Sequence, residues 1–250
     1  MKVVILAGGL PSTINTEEEK IPKPMLRVGG RPLLWHIMKL YSYYGYNDFV
    51  ICTGYKSEMI KEYFMNYYIY KSDITVNLQN NEVVIHNKET EPWKVTVVYT
   101  GVESTTASRI FQIRDLLKGE DFIVSYGDCV SDIDISQLVN THKKNRQMLT
   151  LTVARPAGRS AILPMSRLQS QEERDTVRRY AWANACNMVV SSEIYEHMDP
   201  DERFEIDTVN RVMEEGRVAT YEHEGLWVPV ETVRDRALLE EVWRTLVYYQ

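Results

Sequence analysis

Apolar and polar positions follow two different periods along this chain. Short apolar runs typical of buried strands alternate with segments in which apolar side chains recur every three or four residues, as on one face of a helix. The apolar runs predict strands over 2–7, 48–53, 94–98, 121–125, 148–154, 184–190 and 226–231. The longer period predicts helices over 32–44, 57–64, 106–118, 136–144, 205–215 and 232–248. This alternation predicts an α/β fold with a doubly wound, mostly parallel sheet.

One segment departs from this alternation. Apolar residues occupy every second position on both sides of an Asn-Asn pair, at Ile74, Val76, Leu78, Val83 and Ile85. That pattern predicts a small β-hairpin inserted into the fold. We find no internal repeat or linker, so a single domain over 1–250 is expected, with residues 155–181 rich in loops. Strand ends at Ala7, Thr53, Ser125 and Val230 are expected along one edge of the sheet, where open α/β sheets bind ligands.

Composition excludes several classes of protein. A net charge of −6 and a pI near 5.5 disfavour a general nucleic-acid binder, which needs surplus Lys and Arg. Cys52, Cys129 and Cys186 lie far apart in or beside apolar runs, which favours reduced buried thiols over disulfides or a metal site. The N-terminal run resembles a strand, and no apolar run approaches the roughly 20 residues of a membrane span. We expect a cytoplasmic protein without membrane or nucleic-acid partners.

The first predicted strand ends on Gly8-Gly9, and Pro22-Lys23-Pro24 follows a short polar stretch. Two glycines at a strand end let backbone N–H groups approach an anion, although they also serve plain tight turns. Lys23 adds a positive charge that its flanking prolines hold in place. The dinucleotide pattern GxGxxG and the P-loop pattern GxxxxGK[ST] are both missing, which argues against a dehydrogenase or a P-loop kinase.

Asp128 stands just past a predicted strand, and Glu231 stands at a predicted strand-to-helix junction. Asp128 is placed to bind Mg²⁺, although a lone Asp there more often caps a turn. Glu231 is either a second metal ligand or an acidic residue favoured by the dipole of the last helix. Asp132 and Asp134 are expected to face solvent or to cap the following helix.

Two further features leave alternatives open. Arg109, at the start of a predicted helix, contacts a nucleotide or is a surface arginine. The aromatic residues between 62 and 70 predict a large apolar surface, for which a subunit interface or core packing is favoured over base stacking.

Several longer stretches carry a family resemblance. They are VGGRPLLWHIMK at 28–39, CTGYK at 52–56, IKEYF at 60–64, EPWKVT at 91–96, YGD at 126–128 and EHEGLW at 222–227. With Gly8-Gly9 and Pro-Lys-Pro, they make the chain resemble the sugar-1-phosphate nucleotidyltransferases, and among these the glucose-1-phosphate cytidylyltransferases. The resemblance runs from residue 1 to about residue 245 and implies a nucleotide-diphospho-sugar transferase-like fold.

The resemblance also implies a reaction and a set of site residues. CTP and a phosphorylated acceptor, most simply a sugar 1-phosphate, would give a CDP-linked product and pyrophosphate, with Mg²⁺ as cofactor and a homo-oligomer as the assembly. Lys23 and Asp128 would be catalytic, and Asp128 with Glu231 would hold the metal. The nucleotide half, about 1–130, would bind CTP through Leu6, Ala7, Gly8, Gly9, Ser12, Thr13, Lys23, Ser104, Arg109 and Gly127. The half from about 131 to 250 would bind the acceptor with Ala161 and Asn184, together with Tyr126.

The chain departs from the family pattern within these sites. Thr13 replaces the arginine of the signature loop and cannot supply its charge, and Pro11 removes a backbone donor. The family's Glu-Lys-Pro, which grips the sugar phosphate, has no counterpart over 169–176, and Glu231 replaces an aspartate.

Two readings follow from these departures. One is an active transferase with a changed acceptor, in which Lys20, Arg27 or Arg31 replaces the lost charge. The other is a weak or inactive relative that binds a nucleotide or a partner protein, since losing one transition-state cation costs several kcal/mol. The retained Lys23, Asp128 and Glu231 favour activity. A purely structural module would leave the glycine loop and Lys23 unexplained.

Overall fold

The computed structural model of the chain describes residues 1–9, 21–86, 90–155 and 182–249. The strands are β1 Val3–Ala7, β2 Arg27–Val28, β3 Arg31–Pro32, β4 Asp48–Thr53, β5 Asp73–Asn77, β6 Glu82–His86, β7 Lys94–Tyr99, β8 Phe122–Tyr126, β9 Cys129–Ser131, β10 Leu149–Ala154, β11 Ala183–Val190, β12 Val218–His223 and β13 Trp227–Pro229. The α-helices are α1 Leu33–Tyr43, α2 Ser57–Met65, α3 Tyr67–Lys71, α4 Thr106–Gln112, α5 Arg114–Leu117, α6 Ile135–Asn145, α7 Val209–Glu214 and α8 Val233–Val242. Shorter helical turns cover Lys23–Met25, Ser192–Glu196, Phe204–Thr208, Trp243–Thr245 and Val247–Tyr249.

A seven-stranded sheet forms the centre of the molecule, in the order β12-β10-β11-β8-β1-β4-β7. Only β11, among these strands, runs against its neighbours, pairing antiparallel with β8 and β10. The other adjacent pairs are parallel. This confirms the predicted α/β fold with a mostly parallel sheet. The inserted hairpin is also present, as the separate ribbon β5–β6.

Both faces of the sheet are covered, because side chains of the central strand alternate between two apolar clusters. Val3 and Ile5 of β1 pack in one cluster with Leu34 of α1, and Val4 packs in the other with Ile110 of α4. Each of these side chains is fully buried. Burial on both faces explains why β1 is a continuous apolar run rather than an alternating one. Helices therefore lie on both sides, as in a doubly wound fold.

The register brings the carboxyl ends of the parallel strands to one edge. Leu6 lies opposite Cys52 on one side and Tyr126 on the other, and Ala7 lies opposite Thr53. The edge predicted from Ala7, Thr53 and Ser125 is thus confirmed. Val230 reaches this edge differently from the prediction. It follows β13, which pairs with β9 outside the main sheet, and its N–H donates to the Asp128 carbonyl at 2.9 Å.

Tertiary packing overrides the predicted pattern at several places. The helix expected over 106–118 breaks at Ile113 into α4 and α5. The helix expected to run to 248 ends at Val242, and the Trp243 ring that follows packs against Gly29. The helix expected over 205–215 begins as a π-helical turn, Phe204–Thr208, before α7. Strands β9 and β12 and helix α3 were not predicted, since their short sequences lack a clear apolar period.

The three cysteines are free thiols. Cys52 and Cys129 are buried, and Cys186 is half-buried. In the part of the chain that the structure describes, the helices are all too short or too polar to cross a bilayer. The loop-rich stretch predicted over 155–181 lies outside the described residues from 156 onward.

Candidate active site

Glycines line the edge at which the parallel strands end. A Cβ added to Gly8 would lie 2.1 Å from Arg109 Nη1 and 2.9 Å from the Thr53 carbonyl carbon. One added to Gly54 would lie 2.7 Å from the Gly101 carbonyl oxygen and 3.2 Å from Gly8 Cα. No side chain fits in these gaps, so the chain after β1 packs directly on the turns after β4 and β7. Gly9, by contrast, is exposed, and a Cβ there would meet no atom within 4 Å.

Gly127 makes the same kind of approach on the other side of β1. Its N–H donates to the Leu6 carbonyl at 2.9 Å, and a Cβ would lie 2.9 Å from Pro24 Cγ and 3.3 Å from Ala7 Cα. The structure therefore brings four predicted nucleotide-binding positions together: Leu6, Ala7, Gly8 and Gly127.

Lys23 and Asp128 form an ion pair at this edge. Pro22 and Pro24 fix the short turn that carries Lys23, and buried Pro24 packs on Gly127. The ammonium of Lys23 donates to Asp128 Oδ2 at 3.2 Å, with each side chain about one-third exposed. A partly exposed pair of this kind contributes at most about 1 kcal/mol to stability, so its position matters more than its strength. The predicted catalytic residues are in contact.

Arg109 is not a surface arginine, because only 3% of it is exposed. Its Nη1 donates to Thr100 Oγ1 and the Gly101 carbonyl at 2.7 Å each, and to the Thr53 carbonyl at 3.4 Å. Its Nη2 donates to the Val102 carbonyl at 3.2 Å. None of these acceptors is a carboxylate, and burial lowers the pKa of Arg109 from its usual value. The guanidinium is a buried positive charge beneath Gly8.

The predicted Ser104 closes the turn that supports Arg109. Its hydroxyl donates to the Thr100 carbonyl, and a Cβ on Gly101 would lie 2.8 Å from its Oγ. Gly101 has φ +98°, a backbone conformation that favours glycine. Ser104 therefore shapes the loop after β7 from within.

A backbone hydrogen bond joins the segment that precedes Glu231 to Asp128. Val230 binds the Asp128 carbonyl, and the next residue, Glu231, is exposed, with its N–H donating to Asp235 Oδ2 at 3.1 Å. Thr232 and Asp235 form a capping box at the start of α8. Glu231 thus stands next to a helix N-terminus and directly follows the residue that bonds to Asp128, so both interpretations of this carboxylate persist. Among the described residues, there is no group of three or more His, Cys, Asp or Glu side chains that could hold a metal ion.

Tyr126, predicted to contact the acceptor, is bound to a carboxylate that the sequence analysis did not single out. Its hydroxyl donates to Glu205 Oε1, and Thr106 Oγ1 donates to the same oxygen at 2.6 Å. Burial and the charge of Glu205 raise the pKa of Tyr126 well above its usual value. Glu205 lies in the π-helical turn before α7, so these two hydrogen bonds join that turn to the start of α4 and to the end of β8. π-Helical turns are frequent at functional sites. The sequence does not reveal this turn, so Glu205 could not be singled out from it.

Asn184 supports a strained backbone turn. Its Oδ1 accepts from the Cys186 N–H at 2.9 Å, and Cys186 has φ +64°, unusual for a residue with a side chain. Cys186 lies beside Cys129, and burial together with this second thiol raises the pKa of Cys129. Asn184 sits at the start of β11, opposite Val153.

The predictions for Asp134 and Asp132 have different outcomes. Asp134 caps α6 as expected, accepting from the Gln137 N–H at 2.9 Å. Asp132 neither faces solvent freely nor caps the helix. Its Oδ1 lies 3.0 Å from Nε2 of buried His223, at the end of β12. This pairing was not predictable, because β12 itself was not predicted. Three predicted contacts, Ser12, Thr13 and Ala161, lie outside the described residues, as do Pro11 and Lys20.

Comparison with known proteins decides the family. Over residues 2–161, the chain matches the family model described as Nucleotidyl transferase. It is 38% identical over 246 residues to glucose-1-phosphate cytidylyltransferase of Salmonella typhi, which covers 97% of this chain and 96% of that protein. The chain belongs to the nucleotidyl transferase family. It is also 31% identical over 245 residues to the probable glucose-1-phosphate cytidylyltransferase of Bacillus subtilis, with 97% and 96% covered.

Solved structures show the same fold for this nucleotidyl transferase. Apo UDP-glucose pyrophosphorylase superposes with a TM-score of 0.71 at 15% identity, covering 98% of each chain. The inositol-1-phosphate CTP transferase from T. maritima gives 0.67 at 14% identity, covering 98% of this chain and 95% of that one. At these identities the likeness concerns the fold alone. The expected nucleotide-diphospho-sugar transferase-like architecture is confirmed.

Proposed function

We propose that this nucleotidyl transferase joins CTP to a sugar 1-phosphate and releases pyrophosphate, giving a CDP-sugar. The observation that carries the proposal is the Lys23–Asp128 ion pair at 3.2 Å, held at the glycine-lined edge by the packing of Pro24 on Gly127. The preference for CTP rests on the full-length similarity to glucose-1-phosphate cytidylyltransferases.

The transfer asks for positioning and for charge compensation. A phosphate oxygen of the acceptor displaces pyrophosphate from the α-phosphorus of CTP, and the protein neutralises the negative charge of both reactants. Gly8 stays partly exposed at the end of β1, and a phosphate would approach its backbone there. Lys23 would contact a phosphate oxygen and exchange part of its pairing with Asp128 for that contact.

Arg109 would compensate for the arginine that Thr13 replaces. Its guanidinium is buried directly beneath Gly8, and its hydrogen bonds to the described residues go to neutral acceptors, none of which cancels its charge. A buried charge acts over a longer distance than an exposed one, because water screens it less. Arg109 would therefore attract the triphosphate through Gly8. Of the alternatives that the sequence offers, Arg31 lies instead over the Trp35 ring, at 5.2 Å from its centroid.

Asp128 and Glu231 would hold Mg²⁺. Carboxylate oxygens suit this ion, which keeps several waters and takes phosphate oxygens of the substrate rather than a full set of protein ligands. Two protein carboxylates are therefore a sufficient set, and the absence of a three-residue cluster in the described chain is compatible with it. The ion, when bound, would offset charge on the α-phosphate and the leaving pyrophosphate.

The assembly would be a homo-oligomer formed through the aromatic segment between 62 and 70, part of which is exposed. A cytoplasmic location fits the free thiols of the chain.

A pyrophosphate-release assay tests the function. CTP, UTP, dTTP, ATP and GTP would be offered with Mg²⁺ against a panel of sugar 1-phosphates and phosphorylated non-sugars. Release with CTP and a sugar 1-phosphate supports the proposal. The loss of the family arginine at Thr13 keeps one rival, a nucleotide-binding protein without activity. CTP binding in calorimetry without release across the panel would favour that rival, and no nucleotide binding would contradict both.

A further inference from the structure

The β5–β6 hairpin has little support from the part of its own chain that the structure describes. It follows α3 after a single residue, and among the described strands β5 and β6 pair only with each other, from Asp73 opposite His86 to Asn77 opposite Glu82. Every residue of β5 is exposed. An isolated two-stranded hairpin is marginally stable in water at best. A hairpin of this kind needs a surface to pack on.

The hairpin also exposes apolar side chains on both faces and at its end. Adjacent residues of a strand point to opposite faces, so the neighbours Val83 and Val84 cannot share one face. The exposed fractions are 42% for Ile74, 46% for Val76, 85% for Leu78, 51% for Val83 and 43% for Val84. Leu78 stands in the turn, a five-residue strand or roughly 17 Å from the base of the hairpin. Exposed apolar side chains that cluster in this way, rather than being scattered singly, are typical of an interaction site.

A groove of matching character lies beside the base of the hairpin. Its volume is about 590 Å³, and it is formed by α2, α3, the stretch before β7 and β7 itself. Strand β7 is the last strand of the main sheet, and all of its residues keep some exposure. The lining is mostly apolar, with Phe64, Tyr67, Trp93, Val95 and Val97. Exposed Met65 and Tyr68 stand in the same lining. Lys61 and Glu91 add one charge of each sign, and Glu91 is already paired with Lys39 at 3.0 Å.

The two surfaces complement each other, yet one chain does not join them. The hairpin end carries apolar Leu78 and the acid Glu82. The groove carries an apolar lining and the base Lys61, while the charge of its Glu91 is paired with Lys39. Leu78 is 85% exposed, so its own groove does not hold it. A chain that displays both halves of a contact can complete it with a second copy of itself, and repeated contacts of this kind build symmetric oligomers.

We propose that the β5–β6 hairpin of one copy packs into the α2–α3–β7 groove of a second copy, with Leu78 in the apolar lining and Glu82 facing Lys61. The inference deepens the homo-oligomer of the proposed function by locating its contact. It does not depend on the reaction, because the surfaces lie away from the Lys23–Asp128 edge and assembly is measured without nucleotide.

Light scattering coupled to gel filtration tests the contact. The wild-type chain is expected to elute at a multiple of 29.2 kDa. Leu78→Asp should raise the dissociation constant at least about 30-fold, as loss of a central apolar anchor does. Met213→Asp is the matched control, because Met213 is 52% exposed on α7, beside β12 at the opposite end of the sheet. It should leave the mass unchanged, and circular dichroism should show both variants folded.

Charge reversal tests the pairing within the contact. Lys61→Glu and Glu82→Lys should each weaken assembly, and the double variant should restore most of it. A wild-type monomer at every concentration would overturn the proposal. So would an unchanged mass for Leu78→Asp, an equal loss of assembly in Met213→Asp, or a double variant no better than the single ones. Failure of pyrophosphate release would leave all of these masses unaffected, which separates this test from that of the function.

Discussion

Replacement of Gly8 by alanine tests the packing on which the site is built. The new Cβ would lie 2.1 Å from Arg109 Nη1, 2.6 Å from Arg109 Cζ and 2.9 Å from the Thr53 carbonyl carbon. These distances are far below van der Waals contact, so the guanidinium or the strand end must move. The guanidinium cannot swing freely, because four acceptors from β4 and the loop after β7 hold it.

The structure allows the cost to be worked out. Overpacking of one methyl group in a closely packed site costs about 1–3 kcal/mol. Displacing the guanidinium also weakens hydrogen bonds made by a buried charge, each worth about 1.5–3 kcal/mol. Movement of the guanidinium relieves part of the overpacking, so the two costs do not add in full. We expect Gly8→Ala to lower the free energy of unfolding by about 3 kcal/mol. With an m value of about 3 kcal/mol/M, the urea midpoint would fall by about 1 M.

Urea unfolding without nucleotide measures this loss, and Gly9→Ala is the control. The neighbouring glycine has the same sequence context, but its Cβ would meet no atom within 4 Å. Gly9→Ala should therefore change the free energy of unfolding by less than about 0.5 kcal/mol. If Gly8→Ala unfolds at the same midpoint as Gly9→Ala, Arg109 does not occupy the space beneath Gly8, and the account of its charge is wrong.

Three further predictions follow from single side chains. Asp128→Asn should lower Mg²⁺-dependent pyrophosphate release more than about 100-fold. It should change the free energy of unfolding by no more than about 1 kcal/mol, because the ion pair of Asp128 with Lys23 is partly exposed. Retained pyrophosphate release would show that Asp128 is not a metal ligand. Cys186→Gly should be about 1 kcal/mol more stable than Cys186→Ala in urea unfolding, because φ is +64° there, and equal stability would argue against strain. Burial lowers the pKa of His142, although Asp121 opposes this, so the unfolded chain binds the proton first as pH falls. Stability should therefore drop from about pH 6.5 towards pH 5, and a slope that is not reduced in His142→Gln would contradict this.

Much of the edge was predictable because each parallel strand there ends on glycine. Gly8 follows β1, Gly54 follows β4, Gly101 comes two residues after β7, and Gly127 follows β8. Only the first and the last of these were predicted as nucleotide-binding residues. Taken together, the four glycines would have predicted that neighbouring strand ends pack backbone to backbone, which is what the structure shows.

Other parts of the site depend on contacts that no local pattern records. Arg109 has the same helical position whether it is exposed or buried, and only the fold places it beneath Gly8. Glu205 meets Tyr126 across about eighty residues of chain, through a π-helical turn that its sequence does not announce. His223 pairs with Asp132 because β12 lies at the sheet edge, where a short, half-exposed strand carries little apolar signal.

The central claim is that the Lys23–Asp128 edge catalyses cytidylyl transfer. The most direct measurement is the product formed from CTP, glucose 1-phosphate and Mg²⁺, identified by mass spectrometry alongside pyrophosphate release, for the wild type and for Asp128→Asn. The account predicts CDP-glucose and equal amounts of pyrophosphate from the wild type and almost none from the variant. Equal product from both proteins would contradict the assignment of the site, and no CDP-linked product from the wild type with any sugar 1-phosphate would contradict the function.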